Sequence, residues 1–225
     1  RFVVSANPTT SDLNAAVETL KQRVAREVHL PQGYTLAYEG EYQAQQEAKR
    51  RILWMSGIVL LVMVMLLHGY FKSWALVALV LINLPIALVG GILYTRLTLD
   101  NISIATLVGL IAVCGICARN TILLLSHYLH LLRHEGEAFT PAMIIRGTQE
   151  RLVPILMTAL SAGIALIPLL LAHDEPGKEI LHPVAIVIVG GLVSSTLLGL
   201  LLTPALFHAF CKKPALQSIQ RTRPR

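Results

Sequence analysis

Along this chain the hydrophobic and polar positions change rhythm once, near residue 50. Before it, short alternating and helical patterns interchange. Arg1 to Ala6 alternates as a strand does. Ser11 and Asp12 are placed to cap a helix whose apolar positions Ala15, Val17, Leu20 and Val24 recur at helical spacing. After the break Leu30-Pro31-Gln32-Gly33, the segment from Tyr34 to Tyr38 alternates again. Strand, helix, strand with one apolar helical face reads as the tail of a soluble α+β domain, too short to bury a core by itself.

After residue 50 the pattern is continuous apolarity broken by short polar loops. Five stretches approach or exceed the roughly 20 apolar residues that a bilayer-crossing helix needs. They cover 52–70, 74–94, 102–129, 152–172 and 183–210. Trp54 and Tyr70 flank the first as interfacial aromatics. Asn83 and Pro85 interrupt the second, Pro154 and Pro168 lie near the ends of the fourth, and Gly190, Gly191 and Gly199 mark the fifth. Such residues are tolerated in membrane helices because neighbours pack closely and re-satisfy the backbone. The predicted fold class is therefore a membrane all-α bundle of five helices, residues 51–210, preceded by the 1–50 segment and followed by a basic tail, 211–225.

Composition agrees: 54% of the residues are hydrophobic and 14% are charged, far below the roughly 25% charged of a soluble domain. The net charge of +6 lacks aromatic interleaving, which argues against a nucleic-acid surface. Its distribution predicts topology. The segments 71–73, 126–150 and the tail carry Lys72, Arg133, Arg146, Lys212 and Lys213, with Arg151 beside them. The opposite loops carry only Arg96 and Lys178, beside four acids. The positive-inside rule makes the first side cytoplasmic and puts residues 1–50 outside. Lys49, Arg50 and Arg51 stand on the outer side against this trend. Arg1 opens what reads as mid-domain, so the chain is expected to be a fragment or a truncated product.

Arg119 is the residue that demands an explanation. It lies about 25 Å along a helix from Ile102, and a permanent charge near mid-span costs a few kcal/mol even on permissive scales. It is expected to face the bundle interior and meet a counter-charge. No Asp or Glu falls within the five stretches, so the partner is expected from another segment. The alternative is an arginine that snorkels to the interface.

Other groups are weaker signals. His127, His130 and His134 share a helical face, as metal ligands or as amphipathic interfacial residues. His173, Asp174, Glu175, Glu179 and His182 form an outer loop that gathers cations or is simply solvated. Cys114 and Cys117 have CxxC spacing inside an apolar helix, where small packing residues are the better account. Asn83 is expected to hydrogen-bond across helices, and Ser161, Ser194, Ser195 and Thr196 to serve helix contacts. No metal site is predicted. No phosphate-binding glycine loop is present, so an ion gradient or another protein must supply any energy.

Five collinear segments carry a resemblance. The run from Val108 to Leu124, with Gly109, Gly115, Arg119 and Asn120, resembles the tenth membrane helix of resistance-nodulation-division (RND) efflux permeases. Arg151 to Thr158 resembles the start of their eleventh helix, and Asn83 to Gly91 their ninth. Gly190 to Leu198 and Thr203 to Leu206 resemble their twelfth. Leu30 to Tyr34 resembles the end of the last periplasmic porter subdomain. The segment from Gly177 to Ala185 is similar to the heavy-metal branch. The resemblance implies the C-terminal half of a twelve-span, trimeric, inner-membrane proton antiporter that needs no cofactor and works with a periplasmic adaptor and an outer-membrane channel. It implies a proton relay in which Arg119 and Asn120 stand where the multidrug branch has Lys and Asn. Thr158 and Arg151 join it from the next helix. Arginine there serves as a fixed counter-charge, being harder to deprotonate than lysine. Metal cations are the favoured substrate and organic compounds the alternative. A second reading is a non-transporting remnant or a small subunit that docks onto another bundle; an enzyme is not predicted.

Overall fold

The computed structural model of the chain describes residues 13–28, 41–98, 103–171 and 180–212, with Val4, Leu36, Tyr38 and Ala215. It divides into two compact units, Arg1–Met55 and Ser56–Arg225. The division falls a few residues after the boundary expected at 50/51, because Lys49, Arg50 and Arg51 lie inside a helix that continues into the first apolar stretch. The expected strands at 1–6 and 34–38, the cap at Ser11 and Asp12, and the Leu30–Gly33 break lie in or among residues outside the described ones.

The first unit contains α1 (Leu13–Glu27) and the beginning of α2 (Glu41–Phe71). Lys21 ties α1 to α2: its ammonium donates to the Tyr42 hydroxyl at 3.0 Å, lies 4.5 Å from the centre of that ring and pairs with Glu18 at 3.4 Å.

The second unit holds the rest of α2 and four further helices: α3 (Trp74–Thr98), α4 (Ile104–His134), α5 (Pro141–Leu171) and α6 (Leu181–Phe210). Five helices, beginning with Tyr42–Phe71, are long and apolar enough to cross a membrane. Several ends have local causes. Ser103 caps α4, its hydroxyl accepting from the Thr106 amide at 3.3 Å; Thr140 does the same for the Met143 amide of α5, with Pro141 at the first helical position. α2 stops at Phe71, which is buried, and Lys72 turns the chain with φ +50, a backbone region that residues other than glycine rarely enter. Gly136, φ +69, follows the end of α4.

One expectation is corrected here. Residues 126–150 were expected to form a loop, yet only 135–140 are outside helices. α4 continues more than a turn past the apolar stretch, to His134, and α5 starts about three turns before its own. These extensions hold each other: the Tyr128 and Thr148 hydroxyls lie 2.6 Å apart, and a Cβ on Gly147 would meet the Tyr128 ring and Leu131 at about van der Waals overlap. Helix propagation adds a backbone hydrogen bond per residue, so a helix need not end where the lipid does.

α6 is the hub and packs on α3, α4 and α5. Its contact with α3 is glycine on glycine. A Cβ on Gly90 would collide with Ser194 and the Gly190 carbonyl, and one on Gly190 would collide with Tyr94. Ser194 Oγ donates across this seam to the Ile86 carbonyl at 3.2 Å. Against α4, Gly191 lies on Val113 and Gly109 on Val187, both too close for a side chain. In the second unit α2 reaches the core through its last turns, where Leu67 and Phe71 are buried.

Candidate functional site

The four residues of the expected relay take three different environments. Arg119 is exposed, on a stripe of α4 that also carries Val108, Ile111, Gly115 and Leu123, all exposed. These positions follow helical spacing, so they form one face, and nothing lies within 4 Å of where a Gly115 side chain would start. Among the described residues Arg119 makes no ion pair. The interior-facing placement expected for it is therefore not met within the four helices packed here; its face of α4 is open.

Asn120, the next residue, turns inward and is half-buried. It lines a crevice between α4, α5 and α6 with Thr121, Ile155, Ser195, Thr196 and Thr203, of about 10 Å³. That is close to the space one water molecule needs. The Thr196 and Thr203 hydroxyls are buried and have no hydrogen-bond partner among the described residues. Sequence reasoning assigned Thr196 to helix contacts and gave Thr203 no chemistry of its own. The signal was available: four hydroxyl residues, Thr121, Ser195, Thr196 and Thr203, share one small volume, but the spacing between helices is not readable from one strand of sequence.

Thr158 is exposed on α5, and its hydroxyl donates to its own helix at the Ile155 carbonyl, 2.9 Å. Arg151 is half-buried and lines a separate open groove at the end of the bundle, with Tyr70 of α2 and the last turns of α4. So the structure brings Asn120 to a polar crevice, Arg151 to an end groove, and Arg119 and Thr158 to open faces. It joins none of the four by a hydrogen bond or ion pair.

The minor signals also resolve. Cys117 is buried and its Sγ lies 3.4 Å from the Asn83 carbonyl, a packing role as expected. The Asn83 side chain does not bridge helices: its amide donates to Leu79 of its own helix at 3.0 Å. The interhelical contact is made by its backbone oxygen instead. His182 is buried and donates from Nδ1 to the Leu169 carbonyl at 3.0 Å, tying the start of α6 to the end of α5. Its loop companions 172–179 lie outside the described residues. His127 pairs with Glu150 at 2.7 Å, while His130 and His134 stack at 4.5 Å. No group of three metal-ligating side chains converges among the described residues.

Comparison with known proteins sets these helices in context. The profile of the AcrB/AcrD/AcrF family matches residues 1–211. The cobalt-zinc-cadmium resistance protein CzcA of Cupriavidus metallidurans is 34% identical over 213 residues, 95% of this chain and 20% of that protein. Protein HelA of Legionella pneumophila is 34% identical over 210 residues, 93% of this chain and 20% of its own length. A crystal structure of a heavy metal efflux pump superposes with a TM-score of 0.75 at 33% identity, over 89% of this chain and 20% of the pump. The chain thus spans about a fifth of the length of these relatives. Matched over nearly all of its length, and with the helix order that the resemblance implied, the chain belongs to the AcrB/AcrD/AcrF family of RND efflux permeases.

Proposed function

We propose that this chain forms the C-terminal membrane portion of an inner-membrane proton antiporter that exports metal cations. Arg119 is the fixed charge against which a carboxylate of another segment titrates. The observation that carries this reading is the open, otherwise apolar face of α4 with a guanidinium at its middle. An arginine there is costly facing lipid, so the face is one that a further helix covers. A fixed cation lowers the pKa of an adjacent carboxylate, and protonating that carboxylate releases the pair. An ion pair that forms and breaks gives the transport cycle its two states.

Asn120, Thr158 and Arg151 belong to the same proposal, with the hydroxyl-lined crevice beside Asn120 as a place for water along the proton path. Metal cations are preferred over organic compounds because the similar proteins named above are metal-resistance and metal-efflux proteins. The wider assembly, a trimer with a periplasmic adaptor and an outer-membrane channel, follows the family. So does the orientation, with residues 1–50 periplasmic and the C-terminal tail cytoplasmic.

The test is Arg119→Ala in the full-length transporter. Metal tolerance of the host falls to that of a strain lacking the transporter, with the protein still in the membrane at normal abundance. Arg119→Lys keeps the charge without the fork and retains part of the export. Undiminished export by the alanine variant removes Arg119 from the mechanism.

A further inference from the structure

We infer that the crevice beside Asn120 binds ordered water held by two hydroxyls of α6, Thr196 and Thr203, and that both residues join the proton path. Their place on the path rests on the antiport reading given above, whereas the water site does not.

The two hydroxyls are unlike their neighbours. Thr196 and Thr203 are 6% and 1% exposed, and neither hydroxyl finds a hydrogen-bond partner among the described residues. Other hydroxyl side chains of these helices turn back onto their own backbone. Thr95 donates to Gly91 at 2.7 Å, Thr148 to Ile144 at 2.7 Å and Ser195 to Leu192 at 3.2 Å. Thr196 and Thr203 make no such bond and line the crevice instead. Thr196 stands near the middle of the 30-residue α6, at hydrocarbon depth, where an unsatisfied hydroxyl is costly.

The rest of the lining suits water. Pro204 has no amide to offer the Leu200 carbonyl, and Leu200 lines the crevice too. Asn120 brings a side-chain amide that both donates and accepts. A buried water needs about two to four such partners and a volume of about 10–15 Å³. The crevice has about 10 Å³. A metal cation is the poorer occupant, since no carboxylate lines the crevice to balance its charge.

The packing register ties this water to the relay. Val113 meets Gly191 and Gly109 meets Val187, each pair 78 residues apart, so α4 and α6 run in the same direction with a constant offset. By that register Asn120 is level with Leu198, between Thr196 and Thr203. Water held on the α6 side therefore stands beside Asn120, and Asn120 follows Arg119 in the chain. Water and hydroxyl each accept a proton on one side and release one on the other, so a proton passes and both are left unchanged. α6, which holds none of the four expected relay residues, thus contributes two.

The test uses the full-length transporter in detergent and X-ray radiolytic footprinting, which oxidises side chains next to bound water. Cys117, buried and lining the crevice, is the reporter. Cys211, also buried but outside the crevice, is the reference. Cys117 is oxidised several-fold faster than Cys211. Thr196→Val with Thr203→Val keeps the side-chain shape, removes the oxygens and brings Cys117 down to the rate of Cys211. Thr196→Ser with Thr203→Ser keeps the oxygens and the fast rate. If the double valine variant does not fold, Thr203→Val alone replaces it, and partial slowing is the expected result. Equal rates in the parent, or a fast rate that survives valine, overturns the water site. Metal tolerance of the host then decides the role: it falls with valine and recovers with serine, at equal abundance in the membrane. Unchanged tolerance with valine makes the water structural and removes both threonines from the path. Undiminished export by Arg119→Ala sinks the antiport reading and leaves the footprint untouched, so the two failures are distinct.

Discussion

α2 and α3 are consecutive, similarly apolar and joined by two residues, yet they are packed in opposite ways. In the most apolar stretch of α2, 6% of the residues are buried, against 44% in α3. The same contrast separates α5, at 11%, from α6, at 39%. Apolarity therefore does not choose which membrane helices pack, because lipid tails are as apolar as leucine. Small residues do. The α3–α6 seam is built on Gly90, Gly91, Gly190 and Ser194, where backbones approach to contact distance. Gly57 and Gly69 of α2 have nothing within 4 Å of where a side chain would begin, so on that helix smallness serves no contact in this chain.

The comparison can be broken at its tight side. Gly190→Leu places a side chain where even a Cβ collides with Tyr94 and the Gly90 carbonyl. Most of the folded protein should be lost, seen as aggregation in fluorescence-detected size exclusion. If this variant elutes as the parent does, the seam is not what holds α3 to α6. A smaller effect is expected where the helices meet through one polar contact. Tyr128→Phe removes the 2.6 Å bond to Thr148 and should cost about 1 kcal/mol, a fall in Tm of about 2–4 °C. No change in Tm would show that the α4–α5 extensions are held by packing alone. The smallest effect belongs to the open side. Gly57→Ala should leave Tm unchanged or raise it slightly, since alanine is the better helix former. A large loss there would reveal that a neighbour covers α2.

Two arginines repeat the lesson at the level of sites. Arg119 lies within an apolar stretch and Arg151 beside one, and both were read as parts of one relay. In the structure Arg119 stands on the open face of α4, while Arg151 enters a groove with two histidines of α4 and Tyr70 of α2. The crevice at Asn120 was not legible either, because its hydroxyls come from α4 and α6, about 75 residues apart in the chain. Helix ends were legible only where an apolar stretch stopped with a turn residue. At Phe71 and Ser73 the reading held; in the expected loop after residue 129 it did not, since α4 continues to His134 and α5 begins at Pro141, the two held together by Tyr128 and its neighbours.

By itself the sequence determined that this is a membrane protein with five crossing helices, which of its residues are costly in lipid, and which family it belongs to. Those properties reside in local composition and order, and a bilayer reads them one helix at a time. Only the tertiary structure decided that α6 is the hub, that α2 and α5 keep open faces, and that Arg151 lines an end groove with residues of α2 and α4. These depend on how closely backbones approach, and that is settled between helices rather than along them.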